Sequence, residues 1–444
     1  MDLTNKQVVV VGLGKSGIAA AKLCLAHGAK VTGTDTNSAT KLSESVRAVP
    51  MTLVTGGHTG VDFEGADLVV VSPGVPPLPE LERAERAGVE VIGELELAAR
   101  YCTNPIIAVG GTNGKSTVTT LLALMLEQKF PHVFSGGNLG EPLADAVQGA
   151  WDVLVVEVSS FQLERAPQFH PKVSILLNIT EDHLDRYPNF QAYADAKGNA
   201  FVRQTQDDFA VIPSNDSGCV YQARRGRGVA LTFGVGGDYR VEGRSIREVR
   251  TGASFSFESS RLFGLHNAHN IAACIAAART FGVDQEGIER ALAQYIPLAH
   301  RMAYVGDING VRFYDDSKGT NVGASVTALA GLAEPKGVLI AGGRDKLGDY
   351  APLVATLRAK GRALVVLGEA ADRIADAASG AVPIARASNL QHAVELALQH
   401  AVPGDAVLLS PACSSFDMFS GYAERGEKFV AAVKQLSAAK GACS

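Results

Sequence analysis

The segment Gly110–Thr117, GGTNGKST, has the residue types of a phosphate-binding loop. A glycine-rich turn between a strand and a helix exposes backbone N–H groups and a helix N-terminus, and both attract phosphate. Lys115 adds a positive charge for the outer phosphates, and Ser116 offers a hydroxyl to a magnesium ion. The loop is shorter than the common G-x-x-x-x-G-K-[ST] form, because Val109 stands where that form has its first glycine. The strand-like IIAVGG before it and the helical pattern after it favour nucleotide binding over an ordinary turn.

A second glycine loop lies about a hundred residues earlier in the chain. The segment Gly12–Gly17, GLGKSG, matches G-x-G-x-x-G, and Asp35 closes the next strand. This spelling fits a dinucleotide-binding fold and suggests NAD. The alternative is a similar fold that binds another phosphorylated ligand or none. The ATP-type loop downstream favours another phosphorylated ligand.

Acidic, histidine and lysine residues supply candidates for metal binding and proton transfer. Glu157 ends the strand-like WDVLVVEVSS, where a carboxylate could join phosphate oxygens around magnesium; the alternative is a surface or helix-capping glutamate. His183, in NITEDHLDRYP, lies among acidic residues, although a lone histidine is more often structural. By its local pattern, Lys197 in YADAKGNA is a surface lysine on a helix.

The last third of the sequence places polar residues directly after apolar strands, in the loops Asp316–Lys318, Arg344–Lys346 and Ser414–Ser415. The carboxyl ends of parallel strands meet at one edge of a sheet, which is where such folds bind ligands. These loops therefore predict a site for a small charged ligand. A solvated rim is the alternative.

The elements that must position these residues fall into three blocks of alternating strands and helices, which predicts an α/β protein. The first block has a strand, a helix over about 17–27, a strand that ends at Asp35 and a strand over 68–72. The second has strands that end near Glu157 and Asn178, then a polar stretch over 214–260 that reads as short antiparallel strands. The third alternates again and predicts a second doubly wound sheet. We place the domains at residues 1–98, 99–298 and 299–444.

Composition narrows the class of protein. The chain has 444 residues, a formal net charge of −5 and 46% hydrophobic residues, so we expect about three domains. The mild acidity argues against nucleic-acid binding as the main function. No apolar run approaches the roughly 20 residues of a membrane span, and the N-terminus lacks the features of a signal peptide. Six scattered cysteines without a C-x-x-C motif are read as reduced thiols of a cytoplasmic protein.

Several motifs in order give the chain a family resemblance. GGTNGKST, VVEVSSFQLE, NITEDHLDRYP, HNAHN, AHR and YDDSKGTN resemble the Mur ligases, the ATP-dependent amino-acid-adding enzymes of peptidoglycan precursor synthesis. The resemblance extends over essentially the whole chain, and the shortened loop is the family's own spelling. GLGKSG, DDSKGTN and SPACSSFDMFSGYAERG are similar to the member that adds D-glutamate to UDP-N-acetylmuramoyl-L-alanine.

The resemblance implies three domains: a Rossmann-like domain for the UDP-linked substrate, a central P-loop ATPase domain with a mainly parallel sheet, and a Rossmann-like domain that brings the amino acid. The first glycine loop would then hold uridine diphosphate rather than NAD. The implied contacts with the UDP-linked substrate are Ser16, Asp35, Thr36, Ser72, Asn138, Ser159 and His183. The implied contacts with ATP are Gly111, Thr112, Asn113, Gly114, Lys115, Ser116, Thr117, Asn267, Asn270, Arg301 and Asp316.

The resemblance also implies a catalytic set and two magnesium ions. Ser116 and Glu157 would hold one ion, and Glu157, His183 and Lys197 the other, with Lys197 carbamylated into a carboxylate. Lys318 would steady an acyl phosphate, so that Lys115, His183, Lys197 and Lys318 form the implied catalytic residues. The implied contacts with the amino acid are Thr320, Lys346, Ser415 and Tyr422. Two features depart from the family: the loop GGRDKLGDY replaces the more usual GGDGK or GGLDR, and Tyr422 stands where phenylalanine is common.

Other readings stay open at this point. A sister Mur ligase or a folylpolyglutamate synthetase would share the ATPase core, although the folate enzyme lacks a full UDP-binding domain. An NAD-dependent dehydrogenase or nucleotide sensor would use the first loop and leave GGTNGKST unexplained. We further expect a monomer that acts without nucleic acid or membrane insertion. The sequence leaves open whether the added glutamate is D or L.

Overall fold

The computed structural model describes residues 1–441, so Cys443 and the end of the predicted third domain lie outside the described residues. The chain forms two compact units. The first comprises Met1–Ile179 and Ala194–Tyr295, and the second comprises Thr180–Tyr193 and the chain from Ile296 onward. The segment 180–193, which carries His183, thus groups with the C-terminal residues. The three domain borders drawn from the sequence remain predictions.

The first sheet is parallel and has the strand order β3-β2-β1-β4-β5. Its strands are β1 (Gln7–Val11), β2 (Lys30–Asp35), β3 (Thr52–Thr55), β4 (Leu68–Val71) and β5 (Glu90–Gly93). The accompanying helices are α1 (Lys15–Ala26), α2 (Glu44–Arg47), α3 (Pro79–Arg86) and α4 (Glu94–Ala99). The valines of β1 are buried, as expected for a parallel strand covered on both faces. The predicted strand, helix and strand ending at Asp35 are confirmed, with α1 beginning two residues earlier than expected.

The second sheet is larger and mainly parallel, in the order β14-β13-β12-β11-β10-β9-β6-β8-β7. Its strands are β6 (Ile106–Gly110), β7 (Val133–Gly137), β8 (Val153–Glu157), β9 (Val173–Leu176), β10 (Phe209–Pro213), β11 (Val229–Phe233), β12 (Tyr239–Glu242), β13 (Ser245–Glu248) and β14 (Ser254–Ser256). The helices of this region are α5 (Lys115–Leu126), α6 (Leu143–Ala146), α7 (Ser160–Glu164), α8 (Phe190–Gly198), α9 (Ser217–Ala223), α10 (Leu265–Thr280) and α11 (Gln285–Gln294). The alanine-rich α10 packs against α5 in the core of this region.

The prediction of antiparallel strands over 214–260 is correct only for its second half. β12, β13 and β14 pair antiparallel, but β11 runs parallel to β10. The start of the stretch forms α9, because the Asp216 side chain caps that helix by accepting a hydrogen bond from the Cys219 N–H. The first residues of this polar stretch therefore form a helix rather than a strand.

The third sheet has the order β15-β16-β20-β17-β18-β19. Its strands are β15 (Ala303–Ile308), β16 (Val311–Asp315), β17 (Gly337–Gly342), β18 (Gly361–Leu367), β19 (Ile384–Arg386) and β20 (Ala406–Leu409). The helices are α12 (Val322–Ala330), α13 (Ala351–Lys360), α14 (Ala371–Ala377), α15 (Leu390–His400) and α16 (Tyr422–Gly441). The sheet is parallel except for β15, which forms a hairpin with β16. The predicted α/β class is confirmed, and the antiparallel edge is an addition to it.

Two further features concern the described residues as a whole. The cysteines Cys24, Cys102, Cys219, Cys274 and Cys413 are all free thiols. Among residues 1–441, no helix combines the length and apolar character needed to cross a membrane.

Candidate active site

The loop GGTNGKST connects β6 to α5, as its sequence predicted, and two of its three glycines have conformations that suit few other residues. Gly111 and Gly114 have φ values of 137° and 89°. A Cβ atom at Gly114 would lie 2.6 Å from the Asn270 side-chain oxygen. The loop therefore requires glycine there both for its backbone and for the approach of α10. Asn267 and Asn270, the predicted ATP contacts on α10, are joined to each other by a side-chain hydrogen bond of 3.3 Å.

Asn178 fixes the middle of this loop, a role that the sequence did not reveal. Its side-chain oxygen accepts a hydrogen bond from the Asn113 N–H, and its amide donates to the Asn113 carbonyl. Its backbone carbonyl accepts from the Thr112 N–H at 3.0 Å. Three hydrogen bonds with Asn178 thus hold the loop against the end of β9. The sequence predicted a strand end near Asn178, and β9 ends two residues before it.

Two lysine ammonium groups converge on the loop. Lys115 donates to the carbonyl oxygens of Gly111 and Thr112 at 3.0 and 2.9 Å, and Lys197 donates to the Gly111 carbonyl at 2.8 Å. Lys197 is only 4% exposed, so its local interpretation as a surface lysine is wrong. The helix that carries it turns this side chain toward the loop, which a local pattern cannot show.

Glu157 lies at the end of β8, buried at 3% exposure, which excludes the surface alternative. Its Oε1 atom accepts a hydrogen bond of 2.8 Å from the Asn138 amide. Its Oε2 atom is buried and makes no hydrogen bond within residues 1–441. A buried carboxylate oxygen without a hydrogen-bond donor suits a cation, so the residues here fit magnesium. Ser116, the predicted hydroxyl ligand, is likewise buried in the first turn of α5.

A cavity of about 500 Å³ lies at the carboxyl ends of the strands of the first sheet. Five of the predicted contacts with the UDP-linked substrate line it. Asp35, Thr36 and Ser72 do so from the strand ends of this sheet, Ser16 from the start of α1, and Asn138 from the loop after β7. Lys15, Asn37, His58 and Gln162 line it as well and were not predicted. A cavity of this size suits a small-molecule ligand.

Asp35 and Ser72 shape the glycine loop at the mouth of this cavity. Asp35 accepts hydrogen bonds from the Leu13 N–H at 2.7 Å and from the Asn37 N–H at 2.8 Å. Ser72 donates its hydroxyl to the Gly12 carbonyl at 2.6 Å. Both side chains therefore hold the loop in place, and their contact with uridine diphosphate remains a prediction.

Ser159 is the N-cap of α7 in this same unit. Its hydroxyl accepts a hydrogen bond from the Gln162 N–H, and the Gln162 side chain accepts one from the Ser159 N–H. The observed role of Ser159 is thus to begin the helix that presents Gln162 to the cavity.

His183 lies in the second unit, next to a buried ion pair. It has a left-handed backbone with φ of 57°, which is uncommon outside glycine. The preceding Asp182 accepts a hydrogen bond from Lys346 at 2.9 Å and another from the Asn321 amide at 3.2 Å. Burial raises the pKa of Asp182, but the Lys346 ammonium and His183 outweigh it and hold that pKa below its usual value.

The loop after β16 holds two adjacent carboxylates with different partners. Asp315 accepts a hydrogen bond from His300 at 2.6 Å and one from the Ser317 N–H. Asp316 accepts one from the Ser410 hydroxyl at 2.7 Å, yet its burial raises its pKa to about 7. The nearby Arg301, also a predicted ATP contact, acts in the opposite direction and lowers the pKa of Asp316.

The predicted amino-acid contacts lie on three neighbouring loops of the second unit. The Lys318 ammonium lies 3.9 Å from the centre of the Tyr422 ring, which is cation–π geometry. The Arg344 N–H donates to the Ser414 carbonyl and joins the loop of Lys346 to that of Ser415. Arg425 donates to both the hydroxyl and the carbonyl of Ser317, and its burial lowers its pKa to about 10. Because Asp316 and Ser415 are buried, these loops are more than a solvated rim.

The two units thus divide the predicted residues. The first unit brings together the phosphate loop, Glu157, Lys197, Asn267 and Asn270, and separately the cavity residues of the first sheet. The second brings together His183, Arg301, Asp316, Lys318, Thr320, Lys346, Ser415 and Tyr422. Across residues 1–441, no cluster of three or more histidine, cysteine or acidic side chains suits a metal ion. The predicted magnesium ligands are of mixed type, a serine, a glutamate, a histidine and a lysine.

Comparison with known protein families matches three models along the chain. Residues 6–93 match "Mur ligase MurD-like, N-terminal domain", residues 109–278 match "Mur ligase middle domain", and residues 300–413 match "Mur ligase, glutamate ligase domain". These matches agree with the three-domain organisation predicted from the sequence.

Relatives and solved structures agree with these matches. A UDP-N-acetylmuramoylalanine–D-glutamate ligase of Desulfosudis oleivorans is 46% identical over 98% of both chains. A protein of the same name from Trichlorobacter lovleyi is 43% identical over 98% of this chain and 100% of its own. The crystal structure of the UDP-N-acetylmuramate-alanine ligase of Thermotoga maritima aligns with a TM-score of 0.61 and 21% identity over 97% of this chain and 100% of that one. This last similarity speaks to the fold alone.

Proposed function

Because this chain belongs to the Mur ligase family, we propose that it is an ATP-dependent ligase that adds D-glutamate to UDP-N-acetylmuramoyl-L-alanine in peptidoglycan precursor synthesis. Relatives that are 40–46% identical over nearly their full lengths carry the name of that activity. The structural observation that carries the proposal is the phosphate loop, on which Lys115 and Lys197 converge. An enzyme that used only the first glycine loop would have no need of it.

The reaction we propose has two steps. A carboxylate oxygen of the substrate's alanine attacks the γ-phosphorus of ATP, the bond to ADP breaks, and an acyl phosphate forms. The glutamate amine then attacks the acyl carbon, phosphate leaves, an amide forms and the amine releases a proton. Both steps gather negative charge on phosphoryl or acyl oxygens, so cationic and N–H groups govern the rate.

In the first step, the protein binds and orients ATP. The backbone of GGTNGKST and the start of α5 cradle the phosphates, and Lys115 offsets their charge. Asn178 fixes the loop with three hydrogen bonds, two of which use the Thr112 and Asn113 N–H groups. The loop therefore needs little reorganisation when ATP binds, and the N–H groups at the start of α5 are the ones left for the phosphates. Asn267, Asn270, Arg301 and Asp316 position the nucleotide.

Magnesium fits the buried oxygens of the first unit. We propose that Ser116 and Glu157 hold one ion, and that Glu157 and a carbamylated Lys197 hold a second, to which the resemblance also assigns His183. Magnesium supplies charge neutralisation at the transferring phosphoryl group. The Oε2 atom of Glu157, which is buried without a hydrogen bond, supports this assignment.

The remaining residues bind the two other substrates. The cavity of the first sheet binds the uridine diphosphate, with contacts from Ser16, Asp35, Thr36 and Ser72. Asn138 and Ser159 contact the part of the same substrate that extends toward ATP. Lys318 steadies the acyl phosphate. Thr320, Lys346, Ser415 and Tyr422 bind glutamate, and the ammonium of Lys346 pairs with one of its two carboxylates. We also propose that the enzyme acts in the cytoplasm as a monomer, and sedimentation of the purified protein would test the oligomeric state.

The test is phosphate release from ATP with UDP-N-acetylmuramoyl-L-alanine and, in turn, D-glutamate, L-glutamate, lysine or diaminopimelate. Turnover with D-glutamate alone is the expected result and assigns substrate and stereochemistry together. Turnover with another amino acid would keep the ligase chemistry and overturn the choice of glutamate. The absence of turnover with all four would overturn the proposal, and binding of NAD would then point to the first loop.

A further inference from the structure

Asp182 occupies a position that the proposed chemistry does not use. It directly precedes His183, yet its side chain points to the loops of the predicted amino-acid site. Its Oδ1 atom accepts a hydrogen bond from the Lys346 ammonium at 2.9 Å, and its Oδ2 atom accepts one from the Asn321 amide at 3.2 Å. Lys346 and the residue before Asn321, Thr320, are both predicted to contact glutamate.

The same carboxylate also holds the backbone of His183. The His183 N–H donates to the Oδ1 atom of Asp182 at 2.9 Å, the oxygen that Lys346 uses. This local bond supports the left-handed conformation of His183, with φ of 57°, since aspartate side chains commonly bond to nearby backbone groups. One oxygen therefore connects a predicted amino-acid contact with a predicted magnesium ligand.

The ion pair is well enclosed. The side chains of Lys346 and Asp182 are 16% and 8% exposed, so solvent screens their attraction only weakly. Asn321 is itself fixed, because its oxygen caps α12 by accepting from the Ala324 N–H at 2.8 Å. A second contact, from the Asp349 N–H to Glu181, joins the same two stretches of chain. Asp182 is thus held from both sides, as a positioning group must be.

We propose that Asp182 is a positioning residue for amino-acid addition, fixing the Lys346 ammonium for a carboxylate of the incoming glutamate and fixing the backbone at His183 through the same oxygen. An ammonium group has three N–H donors, so Lys346 can bind Asp182 and a ligand carboxylate together. Asp182 therefore orders Lys346 before glutamate arrives, and less ordering is left for the binding event. This inference rests on the proposed function and names the group that prepares its amino-acid site.

A double-mutant cycle on the full chain tests the inference, with steady-state phosphate release read at varied D-glutamate, ATP and Mg²⁺. The variants are Asp182→Asn, Lys346→Met and the double variant. We expect each single change to raise the KM for D-glutamate by about tenfold or more and the KM for ATP by less than about threefold. The double variant should be no worse than the poorer single variant, because the two residues act as one unit.

Two further variants separate positioning from folding. Asn321→Ser keeps a side chain that can cap α12 but removes the amide that binds Asp182, so it should raise the KM for D-glutamate by a smaller factor. Asp185→Asn makes the same chemical change as Asp182→Asn at an exposed carboxylate of the same segment and should leave that KM unchanged. Thermal denaturation of each variant would show whether it is folded.

Three results would overturn the positioning role of Asp182. A lower KM for D-glutamate in Asp182→Asn would mean that Asp182 competes with the ligand for Lys346, which overturns the inference. The inference would also be overturned if the two single effects multiplied in the double variant, or if the KM for D-glutamate and the KM for ATP changed by equal factors in Asp182→Asn. Turnover of the wild type with D-glutamate is measured first, so failure of the proposed function is distinguished from failure of this inference.

Discussion

Lys115 and Lys197 donate hydrogen bonds to the same atom, the carbonyl oxygen of Gly111, at 3.0 and 2.8 Å. They reach it from different helices, α5 and α8, which are separated in sequence by three strands of the second sheet, β7, β8 and β9. The shared contact brings a lysine with no local functional signal onto the phosphate loop. It gives the two residues different expected roles, which the first two predictions test.

Lys115→Met should abolish ATP-dependent turnover while leaving the fold intact. The change removes the positive charge that offsets the outer phosphates but keeps the length of the side chain, so phosphate release should fall by more than about 100-fold. The thermal denaturation midpoint should fall only modestly, because the change removes two hydrogen bonds from the Lys115 ammonium to the loop carbonyls, each worth about 1 kcal/mol. Lys41→Met makes the same substitution at an exposed lysine and should retain full activity. Near-normal turnover of Lys115→Met would exclude the assignment of the phosphate loop.

Lys197→Ala should lose activity that small carboxylates partly restore. If Lys197 acts as a carbamate, the alanine variant leaves room for acetate or formate to take the place of its carboxylate near the metal. If Lys197 acts as an unmodified ammonium group, small amines and not carboxylates would restore activity. Phosphate release is measured with and without added carboxylate. Lys115→Met is the matched control, since added carboxylate should not rescue a missing cation. Full activity of Lys197→Ala without any addition would remove the carbamate from the proposal.

Glu157→Gln should raise the Mg²⁺ concentration needed for half-maximal activity by about tenfold or more, because the oxygen lost is the one proposed to face the ion. The glutamine can still accept the hydrogen bond from Asn138, so its fold should be retained. Titration of Mg²⁺ at fixed ATP makes the measurement. Glu164→Gln, at an exposed position nearby in the sequence, should leave the requirement unchanged. An unaltered Mg²⁺ requirement in Glu157→Gln would contradict the assignment.

The backbone parts of the site were predictable from sequence, because a glycine loop between strand and helix is a local arrangement. The start of α5 at Lys115 and the ends of β2 and β8 at Asp35 and Glu157 are where the patterns placed them. Lys197 was misread because its burial depends on how α8 packs, which its neighbours in sequence do not encode. The contact between Asp182 and Lys346 joins residues 164 positions apart, and no local spacing predicts it.

Gly17→Ala tests how the first glycine loop is built. A Cβ atom at Gly17 would lie 1.9 Å from the Gly12 carbonyl oxygen and 2.8 Å from the Ser72 hydroxyl, so α1 would have to move away from the loop. We expect a loss of about 1–3 kcal/mol in unfolding free energy and a raised KM for the UDP-linked substrate. Gly14→Ala is the control for folding, because its Cβ would meet no atom within 4 Å. Equal stability of the two variants, measured by thermal denaturation, would show that the close approach is not maintained.

Glu94 makes the stability of the first unit depend on pH. It is buried at 1% exposure, its Oε1 atom accepts from the Ala144 N–H at 2.7 Å, and its Oε2 atom makes no hydrogen bond within residues 1–441. Burial raises the pKa of Glu94 from 4.5 to about 7, although the Ala144 N–H acts to lower it. Between pH 4.5 and about 7, the folded chain therefore keeps a proton on Glu94 that the unfolded chain releases. The contribution of Glu94 to the free energy of unfolding is therefore complete below pH 4.5 and is lost as the pH rises through 7.

Glu94→Gln should remove that pH dependence, since an amide does not titrate. Relative to the wild type, the variant should gain up to about 3 kcal/mol in unfolding free energy between pH 4.5 and pH 7. Thermal denaturation across pH 5–8 measures the difference. Glu82→Gln, on the exposed face of α3, should leave the wild-type pH profile unchanged. A constant difference between Glu94→Gln and the wild type across this range would mean that Glu94 is already ionised in the folded protein, with its charge compensated by a group in this part of the first unit.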